Sequence, residues 1–74
     1  MLLKFAVYKD GHYWGARAIG YGIFTQAKTL DRLYKNIKEA AHLHFEERVE
    51  AGEKLEIIIL AEAEVRSARK AAAS

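Results

Sequence analysis

At 74 residues the chain has room for one hydrophobic core, and a second domain is excluded. Half of the residues are apolar and 30% are charged, the balance of a folded domain rather than a disordered tail, and the absence of cysteine excludes disulfides, thiolate metal sites and thiol catalysis. A formal charge of +2 with both signs interspersed gives no overall basic field for nucleic acid, and no apolar stretch is long enough to span a bilayer.

The opening Met1-Leu2-Leu3-Lys4-Phe5 lacks the h-region and cleavage site of a signal peptide, so a cytoplasmic protein is expected. From Leu2 to Tyr8 the residues alternate, with Leu3, Phe5 and Val7 on one face and Lys4, Ala6 and Tyr8 on the other, which predicts a half-buried strand. Lys9-Asp10-Gly11-His12 follows as a turn, because Asp-Gly tolerates the positive φ angles of a tight hairpin. A second strand is then expected over His12 to Ala18. The two glycines of Ile19-Gly20-Tyr21-Gly22 mark another turn before a short third strand, Ile23 to Gln26.

From Leu30 the period becomes helical. Leu30, Leu33, Tyr34, Ile37, Ala40, Ala41, His44 and Phe45 recur at spacings of three and four, with Thr29 as N-cap, Asp31 in the first turn and Gly52 as C-cap. One uninterrupted helix of about 22 residues, or about 33 Å, is the expectation. Leu55 to Leu60 contains Ile57-Ile58-Ile59, the apolar β-branched run of a strand covered on both faces. Residues 1–61 thus form one βββαβ domain, and residues 62–74 a basic, Ala-rich tail that could extend the strand, form a short helix or be disordered.

The element order predicts an α+β two-layer sandwich, since the helix must bury its apolar stripe on the sheet. A right-handed crossover sets the fourth strand parallel beside the first, giving sheet order 3-2-1-4. The core is expected to hold Phe5, Val7, Leu30, Leu33, Ile37, Ala41, Ile57 and Ile59. One helix covers one face; the other face, carrying Lys4, Ala6, Tyr8, Ile58 and Leu60, needs a different cover. A homodimer is the simplest such cover, with the tail after Ala61 as the competing one.

Asp10-Gly11-His12-Tyr13, Gly22, Thr25-Gln26, Thr29-Leu30 and Asn36-Ile37-Lys38-Glu39-Ala40 follow one another without gaps. In this succession the chain resembles the HicB-like antitoxin domain, whose signature is a D-G-x-Y hairpin, a proline-containing loop, T-x-G-D-T and a helix with N-I-x-E-A. Ala18 and Tyr21 stand where that family has its loop prolines, and Ile23 stands where cysteine is common. The resemblance implies an RNase H-like partial fold and the neutralisation of a small basic, HicA-like toxin that cleaves mRNA with a catalytic histidine. Many members continue into an operator-binding domain, whereas only about fourteen residues follow the expected fourth strand here, so a stand-alone version is expected.

Tyr8, Trp14, Tyr21, Phe24, Ile58 and Leu60 are the candidate partner or dimer interface. Four of these are aromatic, and with Lys4 and Arg17 they would also suit a stacking platform for single-stranded nucleic acid, although packing is the commoner use of such residues. The tail charges Arg66, Arg69 and Lys70 read as solvated rather than as a DNA arm.

No catalytic, cofactor or metal site is expected. His42 and His44 are two apart on a helix and diverge, so they cannot chelate together, and His44 reads as a partly buried, satisfied histidine. Strand one carries no acid between Leu2 and Tyr8, and Glu56, Glu62 and Glu64 share one face at best, which is too little for a metal-dependent nuclease. No glycine-rich phosphate loop precedes the helix.

Overall fold

Alternating apolar residues in the first strand and a helical apolar stripe after Thr29 dictate how the chain folds in the computed structural model, which describes residues 1–61. Three strands, β1 (Leu2–Asp10), β2 (Tyr13–Ala18) and β3 (Phe24–Ala27), form an antiparallel meander. Helix α1 (Leu30–His44) and the short helix α2 (Glu46–Glu50) lead into β4 (Glu56–Ala61), which lies parallel beside β1. The sheet order is β3-β2-β1-β4, so the α+β architecture and the crossover follow the sequence expectation. The β1–β2 hairpin closes at Gly11, where φ is +61°, and Gly20, at φ +89°, turns the β2–β3 loop.

Leu3, Phe5 and Val7 of β1, Ala16 and Ala18 of β2, Ile23, and Ala27 of β3 lie buried beneath Leu33, Ile37 and Ala41 of α1. Small alanines on β2 let the helix come close, and the larger residues of β1 fill the space beside it. Removing each large side chain from water contributes about 1.5–3 kcal/mol. The Thr29 hydroxyl accepts the Arg32 amide at 3.2 Å, capping α1 as anticipated.

Two expectations are corrected. The helix is not one piece of 22 residues: Phe45, at φ −115° and ψ 34°, interrupts it, and its ring turns onto Tyr21 at a centroid distance of 5.1 Å. Gly52 does end the helical segment, but just past Ala51, the C-cap of α2. Its φ is +91°, its amide donates to the Val49 carbonyl, and the Glu53 amide donates to the Arg48 carbonyl, the pair of bonds of a Schellman motif.

Strand β4 is the second correction. It is not covered on both faces but is an edge strand, exposed along most of its length. Helix α1 runs over β3 and β2, away from β4, so Ile57 is half-buried and Ile59, on the helix side, is 36% exposed. Leu30 is likewise half-buried. The tail 62–74, with Glu62, Glu64, Arg66, Arg69 and Lys70, lies outside the described residues.

Candidate functional site on the open face of the sheet

Strand pairing fixes which residues share the face away from α1, because directly paired residues point the same way. One row crosses all four strands: Phe24 pairs with Arg17, Arg17 with Ala6 and Ala6 with Leu60. A second runs from Gln26 through Gly15 to Tyr8, and in a third Lys4 pairs with Ile58. Leu2 and Glu56 form a fourth pair, and Tyr13 and Asp10 a fifth at the hairpin end.

The face is predominantly apolar and open. Leu2, Tyr13, Phe24, Ile58 and Leu60 are each at least 40% exposed. A shallow hollow at its centre is lined by Ala6, Val7, Tyr8, Arg17, Leu60 and Ala61. Contiguous apolar surface of this kind marks an interaction site more often than chance exposure.

Four of the six residues singled out from sequence meet here: Tyr8, Phe24, Ile58 and Leu60. Two do not. Trp14 pairs with Lys9 on the helix side, packs partly against the core, and carries the Lys9 ammonium 4.7 Å from its ring centroid. Tyr21 sits in the β2–β3 loop and meets the end of α1 edge-on, with ring centroids 6.4 Å from His44 and 5.1 Å from Phe45. The strand period could have placed Trp14, since position 14 has the parity of the buried Ala16 and Ala18. Tyr21 lies in a loop, where no periodicity applies. Leu2 and Tyr13 were missed, although Leu2 has the parity of Lys4, Ala6 and Tyr8.

His12, His42 and His44 are all exposed, so His44 is not the partly buried residue that the helical stripe suggested. Among the described residues no three His, Asp or Glu side chains gather as a metal site would require. Strand β1 runs on to Asp10 and so does carry an acid, at its hairpin end beside Tyr13. None of the helices among the described residues is long and apolar enough to cross a membrane.

Comparison with known proteins finds a UPF0150 protein of Archaeoglobus fulgidus, 44% identical over 43 residues. The match covers 58% of this chain and 65% of that relative, less than two thirds of its length. No family model and no solved structure matches the chain. The chain is therefore similar over a little more than half its length to a UPF0150 protein and has, among the described residues, a four-stranded sheet with one apolar face left open.

Proposed function

We propose that this chain is a HicB-like, antitoxin-type protein-binding module, acting in the cytoplasm as a homodimer and neutralising a small basic toxin of the HicA-like, mRNA-cleaving kind. The observation that carries the reading is the open face, where Tyr8, Phe24, Ile58 and Leu60 form an apolar surface on a rigid sheet. The similarity to a UPF0150 protein and the ungapped D-G-x-Y to N-I-x-E-A succession support it. The reading requires no catalysis and no cofactor from this chain. Exposed aromatic and aliphatic anchors on a preformed surface suit recognition of a folded protein, because little ordering accompanies binding.

Affinity purification from the native source, with the retained protein identified by mass spectrometry, tests it. A small basic protein that cleaves RNA, and whose cleavage this chain suppresses, is the expected result. Failure of an RNA-cleaving partner to co-purify, or cleavage that continues at a molar excess of this chain, would overturn the reading.

A second reading is favoured by one arrangement. Arg17 pairs directly with Phe24, while Lys4 lies on the same face as Tyr8, so aromatic rings and cations alternate as on a platform for single-stranded nucleic acid. Glu56 and Asp10 at the margins of the face oppose it. Binding to a mixed-sequence oligonucleotide that weakens steeply between low and moderate salt would favour this reading over the first.

A further inference from the structure

We infer that a second copy of this chain joins along the outer edge of β4, in antiparallel register about Ile58, so that two four-stranded sheets become one of eight strands. The inference rests on the dimer reading above and deepens it by naming the surface used. The other open surface, the sheet face, then stays free for the partner.

The backbone supplies the first observation. The Glu56 amide donates to the Met1 carbonyl at 2.8 Å, and Leu2 pairs with Glu56 in the parallel ladder. In such a ladder one residue in two turns both its amide and its carbonyl to the neighbour, so Glu56, Ile58 and Leu60 bond β1. The amides and carbonyls of Ile57, Ile59 and Ala61 therefore point outward, and among the described residues no strand pairs with that edge.

The two edges of the sheet are treated differently. Strand β3 is four residues long, and the Asn36 side-chain amide of α1 donates to its Gln26 carbonyl at 3.2 Å. Strand β4 has none of the devices that keep an edge solitary: it contains no proline, lysine or arginine, and its single charge is Glu56 at one end. Its exposure also has the pattern of a missing lateral neighbour. Ile58 and Leu60 are 42% and 46% exposed on the open face, and Ile59 is 36% exposed on the helix side. A sheet stacked on the open face would leave Ile59 uncovered, whereas a strand alongside flanks both.

The occupant follows from sequence and symmetry. A second copy offers three isoleucines, and closed two-fold pairing of a strand with itself is antiparallel. Centred on Ile58, it sets Ile57 opposite Ile59 of the second copy and Glu56 opposite Leu60, using the outward amides and carbonyls of Ile57 and Ile59.

The chain has no cysteine, so single cysteines report the geometry against a clean background. Two Ile58 residues facing each other in a non-bonded pair have Cα atoms about 4.5 Å apart, within disulfide range, whereas stacked sheets lie about 10 Å apart. Light scattering coupled to gel filtration should give a dimer mass for the unaltered chain. Mild oxidation should then crosslink I58C at least ten-fold faster than I59C, L60C or F24C. A monomer mass would overturn the inference, as would a dimer that crosslinks fastest through L60C or F24C; fastest crosslinking through I59C would overturn the register centred on Ile58. None of these outcomes depends on a toxin, so the dimer surface and the antitoxin reading can fail separately.

Discussion

The ring of Tyr8 lies across the backbone of Gly15, its directly paired neighbour on β2: a Cβ placed on Gly15 would stand 2.7 Å from both Cε2 and Cζ of the tyrosine. Glycine is normally a weakness within a strand, leaving no side chain to pack. Here the missing side chain makes the bed for an aromatic ring, and Gly15 is buried as a result. Gly15→Ala should push the ring aside and lower stability by about 1 kcal/mol. In a Tyr8→Ala background the same substitution should be neutral or stabilising, because the clash is gone and alanine is the less flexible residue. Thermal or urea unfolding of the four chains of this double-mutant cycle measures the coupling, and additivity would show that the ring does not need the glycine.

The core permits a harsher test. Leu33 and Ile37 have no exposed surface and share one buried cluster with Phe5 and Leu3. Leu33→Asp or Ile37→Asp would bury a carboxylate among apolar side chains and should abolish the cooperative thermal transition. Leu33→Ala should leave a folded protein weaker by about 2–5 kcal/mol, through lost transfer energy and the cavity.

How far the sequence could be read depends on whether a residue's surroundings are local. Alternation in Leu2 to Val7 and the four-residue spacing of Leu33, Ile37 and Ala41 report their own burial, and both faces came out as expected. Sheet order followed from the hairpin turns of the meander together with the handedness of the crossover. Ile57-Ile58-Ile59 misled, because an apolar β-branched run looks the same in a central strand and in an edge strand awaiting a neighbour. The break at Phe45 was illegible for a related reason: Phe45 continues the helical spacing, and its ring packs on Tyr21, which lies 24 residues earlier in a loop. Asn36 was noticed as part of a motif, but its bond to the Gln26 carbonyl, tying α1 to the β3 edge, needed the structure.

Both ends of the helical segment should respond to single substitutions. Thr29→Ala removes the acceptor for the Arg32 amide and should cost about 1 kcal/mol, while Thr29→Ser should restore most of it. Gly52→Ala forces a Cβ onto a residue at φ +91° and should cost about 1 kcal/mol. Since α2 has no buried residue, the Gly52 variant should be detected first as faster amide exchange at Gly52 and Glu53, whose amides close the Schellman motif, before Tm falls appreciably.

If dimerisation uses the β4 edge and the partner uses the open face, two lysine substitutions should separate them. Phe24 lies on β3, at the far side of the sheet from β4, and its ring is 56% exposed, so Phe24→Lys disturbs little of the fold. It places a third cation beside Arg17 and Lys4 and removes an aromatic anchor, which should weaken capture of a basic partner at least ten-fold, about 1.4 kcal/mol or more, while the dimer mass persists. Ile58→Lys acts at the other place. Across a two-fold axis at Ile58 the two ammonium groups face each other and lose apolar contact, so the dimer should dissociate to monomers by light scattering. The monomer should remain folded, because Ile58 is 42% exposed and touches none of the fully buried residues' side of the sheet. Gel filtration with light scattering and a partner-capture assay on both variants give four readings. Loss of the dimer in Phe24→Lys would show that the copies meet face to face instead, and an undiminished dimer in Ile58→Lys would rule out any contact centred on Ile58, along the edge or on the face.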